Sequence, residues 1–384
     1  MLQLENLKKS YLEPNGHVLP VLDIPSFRVA AAEQMVLLGR SGCGKSTTLR
    51  LLAGLETVDA GSICFMGKDV TRVPPFKRDV SIVFQSGGFY DDMTVEKNLR
   101  SAVERVKPDR KQIDTRLNNV AGLLGLEGQL DHRPNQLSGG QLQRLVLGRG
   151  LMRQAGLMLL DEPLNHLDTT LRIQLRQELM SIQCATGQTM VYVTHDPQEA
   201  MMLGDRIAVM HDGRVQQVDR PTVIYNYPNH RSVASLLDAN MRFYAGLLSI
   251  TKDQIEIELL DQRISWTNVS DRHRFGFAEY VGQIKVDIGI RAEDWTLRQA
   301  LNGNELCDKS GKSVQAKVAW RTRWYMGSYW NFQGLAEDGQ EIVAVFPSAF
   351  PLPDPKSESS ILEIALERLH LFEADCGKRI EFQA

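Results

Sequence analysis

Short apolar runs alternate with amphipathic segments along about the first 235 residues of the chain. The apolar runs at residues 34–38, 157–160 and 190–193 are each followed by a segment with helix-forming character. Strands that alternate with helices in this way predict an α/β fold with a largely parallel sheet. Two earlier segments, 2–11 and 18–29, are predicted to be antiparallel strands because turn-forming residues separate them.

The strand pattern disappears between about residues 88 and 156. Residues 112–126 and 141–152 instead carry apolar side chains at helical spacing, which predicts a helical insert in the α/β domain. The pattern therefore places a first domain at residues 1–237, with the insert inside it.

Segments of alternating apolar and polar residues return beyond about residue 240, bounded by Gly, Asp and Asn. They predict a small antiparallel β-barrel or sandwich as a second domain, at residues 238–384. A loop is expected at 347–360, which contains four prolines and four serines. The alternating segments are 254–260, 284–291, 314–321, 341–346 and 361–365.

The composition narrows the class of protein. Hydrophobic residues make up 43% and charged residues 24% of the 384 residues, as in folded globular chains. The 44 basic and 47 acidic side chains nearly cancel, so no overall charge favours nucleic acid or an anionic membrane surface. Because the chain shows neither a signal peptide nor an apolar stretch of about 18 residues, we expect it not to cross a membrane by itself.

The first segment that indicates chemistry reads Gly-Arg-Ser-Gly-Cys-Gly-Lys-Ser and fits the pattern G-x-x-x-x-G-K-[ST] between a predicted strand and a predicted helix. Backbone N–H groups of such a loop point at phosphate oxygens, and Lys45 adds a positive charge. Ser46 is expected to bind Mg²⁺. An incidental glycine-rich turn is the alternative, and the strand–loop–helix order argues against it. The predicted phosphate-binding residues are Gly39, Arg40, Ser41, Gly42, Cys43, Gly44, Lys45, Ser46 and Thr47.

Two acidic residues follow the apolar run at 157–160. Asp161 is expected to bind Mg²⁺ through water, and Glu162 stands one residue further on, where a carboxylate can polarise a water for attack on a γ-phosphate. About half of such runs would be structural when taken alone. The phosphate-binding loop in the same chain favours the functional interpretation.

Two further polar residues follow predicted strands. His195 follows the run at 190–193, and its strand should end at the same sheet edge as that of Asp161, so we expect a contact with the γ-phosphate or the attacking water. Gln85 follows an apolar run at 80–84 and is able to touch both metal and water. A purely structural histidine is the alternative for His195, and a single glutamine after a strand is a weak signal.

The segment Ser138-Gly139-Gly140 begins a second predicted helix, which runs on from Gln141. The exposed N–H groups of a helix N-terminus form an anion site. For Ser-Gly-Gly alone, an ordinary serine cap is the better interpretation.

The five cysteines of the chain are scattered and form no C-x-x-C pair, so we expect no disulfide framework and no zinc site, and we infer a reducing cytoplasm. Cys43 stands beside Lys45 and at a predicted helix N-terminus. Both neighbours lower a thiol pKa, which predicts alkylation of Cys43 that ATP prevents.

The run at residues 320–325 mixes aromatic and basic side chains. Such a surface can bind single-stranded nucleic acid. Alternation with period two explains the run more simply, with Trp320, Thr322 and Trp324 facing the core and the intervening side chains facing out. We therefore expect no nucleic-acid partner.

These motifs, in this order, resemble those of the ATP-binding cassette (ABC) family over about residues 1–237. The resemblance implies a P-loop nucleoside triphosphatase that binds ATP and Mg²⁺. It further implies that Tyr11 stacks on adenine, that Gln85 is the Q-loop residue, that Glu162 is the catalytic base and that His195 is the switch histidine. Residues 165–168 correspond to the D-loop.

The same resemblance makes Ser138, Gly139, Gly140 and Gln141 part of the family's signature motif. In the family, this segment of one subunit closes over ATP held by the phosphate-binding loop of another. One copy of each motif therefore implies half of a dimer with two sites, and the sequence leaves open whether the two halves are identical.

The remainder of the chain resembles the importer subgroup that carries a C-terminal OB-type (TOBE) domain. Residues 240–243, 288–294 and 369–380 are similar to segments of maltose-type sugar importer ATPases. This resemblance implies uptake of a carbohydrate, integral membrane permease subunits, an indirect solute-binding protein, and a location at the cytoplasmic face of the inner membrane. The alternatives are an importer of iron, polyamine or another small solute, and a soluble cassette ATPase that acts on DNA or ribosomes.

The chain departs from the family pattern in three places. Residues 86–92 replace an aromatic-rich stretch that faces the membrane subunits in the family, and Leu142 stands where arginine is common. Asn165 and His166 replace a usual small or Ser-Asn pair, and we expect neither this replacement nor Leu142 to touch a catalytic role by itself.

Overall fold

The computed structural model describes residues 2–84, 87–103, 109–165, 167, 169–251, 254–266, 282–297, 313–349 and 359–380. Backbone contacts divide the chain into two compact units, Met1–Tyr227 and Pro228–Ala384. The domain boundary predicted from the sequence lies later, after residue 237.

A mostly parallel sheet forms the centre of the first unit, as the alternation of strands and helices predicts. Its strands lie in the order β10-β9-β3-β8-β7-β6, and only β10 runs antiparallel to its neighbour. Because helices cover both faces of such sheets, their strands are short apolar runs that are buried throughout. The strands are β3 (Gln34–Gly39), β6 (Val80–Val83), β7 (Leu157–Asp161), β8 (Thr189–Thr194), β9 (Arg206–His211) and β10 (Arg214–Asp219).

A second, antiparallel sheet in the same unit contains the two strands predicted at the start of the chain. Its order is β2-β1-β4-β5, and it shares one apolar core with the parallel sheet, in which Leu4, Ile24, Leu37 and Leu159 are all fully buried. Its strands are β1 (Leu2–Leu12), β2 (Val18–Val29), β4 (Ala60–Phe65) and β5 (Lys68–Asp69).

The described residues between β6 and β7 form helices and turns, as the loss of the strand pattern predicts. The two helices expected there from periodicity are α3 and α4. In the first unit the helices are α1 (Lys45–Ala53), α2 (Val95–Ser101), α3 (Arg110–Leu123), α4 (Gly139–Met152), α5 (Thr169–Thr186), α6 (Pro197–Leu203) and α7 (Pro221–Asn226). No helix among the described residues is both long and apolar enough to span a membrane.

Arg78 fixes the C-terminal end of α1, the helix that follows the phosphate-binding loop. Its guanidinium donates hydrogen bonds of 2.7 and 2.8 Å to the carbonyls of Leu51 and Leu52 in the last turn. Carbonyls at a helix end lack partners inside the helix, so the buried cation satisfies them. Gly54 ends the helix in the left-handed region, with φ of 75°.

The second unit is built from antiparallel strands, as the alternating segments predict. Two five-stranded sheets, β13-β12-β11-β14-β20 and β15-β19-β16-β17-β18, are assigned among its described residues. Both contribute to one core, with Leu248 and Ile288 from the first and Phe332 and Ile364 from the second. The strands are β11 (Arg242–Ile250), β12 (Ile255–Leu259), β13 (Gln262–Trp266), β14 (Gly282–Ile290), β15 (Thr296–Leu297), β16 (Ser313–Tyr325), β17 (Tyr329–Ala336), β18 (Glu341–Pro347), β19 (Ser360–Ala365) and β20 (His370–Glu373); α8 (Arg231–Leu237) precedes them.

The prediction for the aromatic run at 320–325 is wrong for two of its three inward residues. Trp320 packs against the core, but Thr322 is exposed and Trp324 is 42% exposed. The pairing of β16 with β17 shifts between Trp320 and Thr322. Such an irregularity breaks the alternation of side chains, so period two cannot be extended across it.

Candidate nucleotide-binding site

The carboxyl ends of three neighbouring parallel strands meet at one edge of the sheet in the first unit. Leu38 of β3 pairs with Thr194 of β8, and Asp161 of β7 pairs with Val193 of β8. The loop after β3, the carboxylates after β7 and the histidine after β8 therefore leave the sheet together. In α/β sheets of this kind, ligands bind at this edge.

The loop between β3 and α1 has the backbone geometry of a phosphate cradle. Gly42 and Gly44 have φ angles of 83° and 103°, a region that favours glycine. Gly39 is required for close packing, since a Cβ there would lie 2.5 Å from Sγ of Cys43 and 2.6 Å from the carbonyl oxygen of Met210.

Lys45 is the first residue of α1, and its side chain turns back over this loop. Its Nζ donates hydrogen bonds of 2.7 Å to the carbonyl of Gly39 and 2.9 Å to that of Arg40. The residue is only 4% exposed. The loop thus fixes a cation at the place where the phosphates of a nucleotide are expected.

Cys43 does not have the environment that the sequence analysis predicts. The residue is buried, and this burial raises the pKa of its thiol although Lys45 and backbone hydrogen bonds act in the opposite direction. The neighbouring charges by themselves favour the thiolate, but the cost of ionising a buried thiol is larger.

We therefore expect Cys43 to be alkylated slowly even without nucleotide. Cys184 is an exposed free cysteine on α5, and it should react with iodoacetamide at pH 7 roughly ten times faster than Cys43, because only exposed thiolates are attacked readily. Peptide mapping by mass spectrometry over a time course measures both rates. Labelling of Cys43 as fast as that of Cys184, with protection by ATP, would restore the original prediction.

Ser46 and Asp161, two of the three residues predicted to hold Mg²⁺, are in direct contact. Oγ of Ser46 donates a 3.0 Å hydrogen bond to Oδ1 of Asp161. Burial raises the pKa of Asp161, the hydrogen bond from Ser46 lowers it, and the neighbouring charge of Glu162 raises it again.

A hydroxyl and a carboxylate oxygen are ligands that Mg²⁺ accepts, and this ion commonly takes its other ligands from water and substrate phosphates. Among the described residues, no three His, Cys, Asp or Glu side chains cluster as a metal site by themselves. The pair therefore fits a metal ion that is shared with a nucleotide.

Glu162 and His195 also meet, as the common sheet edge predicts. Nδ1 of His195 lies 3.3 Å from Oε1 of Glu162, and the histidine side chain is 54% exposed. The other carboxylate oxygen, Oε2, accepts a hydrogen bond from the side-chain amide of Asn165. Asn165 thus contacts the predicted base directly, while the expectation that the substitution at position 165 touches no catalytic role stays a prediction.

A buried polar network behind His195 escaped the sequence analysis. Nη2 of Arg176 on α5 lies 2.7 Å from Oδ2 of Asp196 and 3.0 Å from Oε1 of Glu199. Oε2 of Glu199 accepts hydrogen bonds of 3.0 Å from Tyr192 and 2.7 Å from Thr194, both on β8. These contacts hold Thr194 and Asp196, the residues on either side of His195, in place. The only sequence signal is a charged residue, Arg176, within the apolar face of a helix.

The predicted residues of the second helix N-terminus form a capping box. The N–H of Gln141 donates to Oγ of Ser138 at 3.3 Å, and the N–H of Ser138 donates to the side chain of Gln141 at 2.9 Å. Gly140 packs against Leu171, which leaves no room for a Cβ. Within the described residues, no hydrogen bond or ion pair joins this segment to the loop at 39–46.

Of the other predicted positions, the structure describes Tyr11. Nζ of Lys9 lies 5.2 Å from the ring centroid of Tyr11, which is partly exposed on β1. Gln85 lies outside the described residues, as do His166 and Asp168 of the predicted D-loop segment.

The fold and this edge define a class of protein. A phosphate-binding loop between a buried strand and a helix, with a carboxylate pair at the end of a neighbouring parallel strand, is the arrangement of P-loop nucleoside triphosphatases.

Comparisons with known proteins identify the family. A family model described as ABC transporter matches residues 22–165. The diacetylchitobiose uptake system ATP-binding protein MsiK of Streptomyces coelicolor is 35% identical over 379 residues, which cover 95% of this chain and 96% of the relative. The maltose/maltodextrin import ATP-binding protein MalK of Vibrio cholerae is 34% identical over 97% of this chain and 94% of the relative. The chain belongs to the ABC transporter family and is an ATPase that binds ATP.

Two further similarities cover a smaller share of the chain. The sn-glycerol-3-phosphate import ATP-binding protein UgpC of Chromohalobacter salexigens is 44% identical over 62% of this chain and 63% of the relative. Among solved structures, the dimeric ATP-binding cassette MJ0796 bound to ADP and Pi matches with a TM-score of 0.51 and 26% identity, covering 58% of this chain and 99% of that one.

Proposed function

We propose that this protein is the ATP-hydrolysing subunit of an ABC importer that takes up a carbohydrate. The observation that carries the proposal is the extent of the similarity to MsiK and MalK, which includes the C-terminal β unit and not only the ATP-binding part. Both relatives are named for the uptake of a saccharide. We retain residues 1–237 as the ATPase domain and 238–384 as an OB/TOBE-like regulatory domain.

In the proposed mechanism, the loop residues Gly39 to Thr47 hold the phosphates of ATP, with Lys45 as the charged contact. Ser46 and Asp161, together with Gln85, would hold Mg²⁺, which when bound neutralises charge on the phosphates. Tyr11 would stack on adenine.

The two side chains that follow β7 and β8 act on the attacking water and the γ-phosphate. Glu162 accepts the proton of the attacking water through a carboxylate oxygen, and His195 contacts the γ-phosphate or that water. The carboxylate of Glu162 is 17% exposed and is held in place from two sides, which favours a positioned base over a mobile one.

The proposed partners follow from the presence of one copy of each ATP-binding motif in the chain. Because Ser138, Gly139, Gly140 and Gln141 make no polar contact with the loop at 39–46 among the described residues, we propose that they complete the site of a second, identical ATPase subunit. The dimeric assembly of MJ0796 is consistent with this arrangement. The further partners would be integral membrane permease subunits and, indirectly, an extracytoplasmic solute-binding protein, with the ATPase at the cytoplasmic face of the membrane.

Purification of the tagged full-length chain from detergent-solubilised native membranes tests the proposal. We expect polytopic membrane subunits to copurify, and a solute-binding protein from the same system to bind sugars in a thermal-shift screen. Recovery of soluble, ribosomal or DNA-associated proteins alone would refute the importer. A binding protein that prefers glycerol phosphates, polyamines or iron would refute carbohydrate as the transported substrate. The assignment as an importer would be unaffected.

A further inference from the structure

Both oxygens of the Glu162 carboxylate have partners within the chain. Oε1 faces Nδ1 of His195 at 3.3 Å, and Oε2 accepts a hydrogen bond from Nδ2 of Asn165. A carboxylate only accepts hydrogen bonds, so the side chain of Asn165 must present its NH₂ group to it. The two oxygens of the predicted base therefore have different roles before any ligand binds.

The backbone holds Asn165 in this position. Glu162 adopts a φ of 45°, an uncommon value for a residue other than glycine, and its N–H donates to the carbonyl of Val193 at 3.1 Å. The N–H of Asn165 returns to the carbonyl of Glu162 at 3.4 Å, across Pro163 and the fully buried Leu164. A tight turn with a fixed proline and a buried anchor thus brings the amide back to the carboxylate.

We propose that Asn165 is a positioning residue for hydrolysis: its amide holds Oε2 of Glu162, so that Oε1, the oxygen facing His195, accepts the proton of the attacking water. The inference rests on the proposed function, in which Glu162 is the general base. Rotation about the last side-chain bond of a glutamate is nearly free, so a carboxylate without this contact would sample other orientations.

The bonds and the proton of the hydrolytic step are accounted for by the substrate, the water and Glu162. The water oxygen forms a bond to the γ-phosphorus as its proton passes to Oε1 of Glu162, and the bond from that phosphorus to the bridging oxygen breaks, with its electron pair leaving on ADP. Asn165 exchanges no proton in this step. It acts only through the orientation of Glu162, and its removal should change the rate and not the affinity for ATP.

Steady-state ATPase kinetics of the full-length chain test the inference with two substitutions. Asn165→Leu keeps the branching and number of the side-chain heavy atoms and removes the amide, and we expect kcat to fall roughly tenfold while KM for ATP stays unchanged. Asn118→Leu is the matched control, because Asn118 is exposed on α3 and makes no contact with the site. Thermal unfolding and ATP affinity are measured for each variant.

Asn165→Asp provides a readout that a structural role would not change. It places a second carboxylate against Glu162, and the like charges raise the pKa of the pair. Below that pKa a shared proton restores the hydrogen bond, and above it the two groups repel. The ratio of its kcat to that of the unchanged protein should therefore fall as the pH rises through the pKa of the pair. Asp161, His195, Lys45 and Arg50 surround the site in both proteins, so the comparison changes only residue 165.

Glu162→Gln, measured in the same assay, distinguishes a failure of this inference from a failure of the proposed function. An unchanged kcat for Asn165→Leu, or an Asn165→Asp ratio that is constant with pH, overturns the positioning role while an inactive Glu162→Gln keeps the base. Full activity of Glu162→Gln refutes the base and this inference together. If Asn165→Leu also loses stability, its kcat cannot be interpreted. The pH dependence of the kcat ratio for Asn165→Asp then decides whether Asn165 positions Glu162.

Discussion

Replacement of Glu162 by glutamine should stop ATP turnover and leave ATP binding intact. The amide keeps the shape of the side chain and an oxygen that can face His195, but it cannot accept a proton from water, so kcat should fall by roughly 10²–10⁴-fold. Phosphate release measures turnover, and a fluorescent ATP analogue measures affinity. Because Lys45 and the loop at 39–46 are unchanged, the dissociation constant should stay within about twofold of the original.

Glu5→Gln is a suitable control for the loss of one negative charge, since Glu5 is exposed on β1. Hydrolysis by Glu162→Gln at a rate close to that of the control would assign the base to another residue. A loss of ATP binding together with turnover would instead indicate that the substitution disturbs the turn that carries Asn165.

Replacement of Lys45 by alanine should weaken nucleotide binding itself. The ammonium group is buried over the loop and is the cation placed to meet the phosphates, and a charge-assisted hydrogen bond of this kind contributes about 2 kcal/mol, or roughly 30-fold in the dissociation constant. Isothermal titration with ATP in the presence of Mg²⁺ measures the change. Lys68→Ala, at an exposed position of β5, controls for the loss of a positive charge.

The same substitution also removes the partner of two loop carbonyls, Gly39 O and Arg40 O. Thermal unfolding of Lys45→Ala without nucleotide therefore accompanies the titration. If the melting temperature matches that of Lys68→Ala and the affinity for ATP is unchanged, the loop at 39–46 does not hold the phosphates.

Much of the first unit could be predicted because its signals are local. A run of four to six apolar residues followed by glycines or acids is typical of a buried parallel strand that ends at a ligand site, and β3, β7 and β8 have the predicted positions. In the second unit, alternation predicted β12, β14, β16, β18 and β19 but not β11, β13, β15, β17 or β20. Its extension across the irregularity in β16 placed Trp324 on the wrong face.

The wrong prediction at Cys43 and the unpredicted contact of Asn165 have a common physical origin. The pKa of Cys43 depends on burial by residues distant in sequence, which outweighs the charge of its neighbour Lys45. Asn165 is only three residues from Glu162, yet the contact between them depends on the left-handed backbone of Glu162, which no residue type in the segment signals. In both cases the local sequence shows which residues are adjacent along the chain. It does not show their burial or their side-chain contacts.

The sequence alone determined the class of sheet, the phosphate-binding loop and the residue types of the site, because each depends on a short stretch of chain whose pattern is fixed by its own backbone periodicity. Only the tertiary structure decided which atoms meet: Ser46 with Asp161, His195 and Asn165 with the two oxygens of Glu162, and Arg176 with Glu199 beneath them. These contacts join segments that approach one another only when the sheet and its helices pack. Their geometry and burial, which set the chemistry of the site, are properties of that packing.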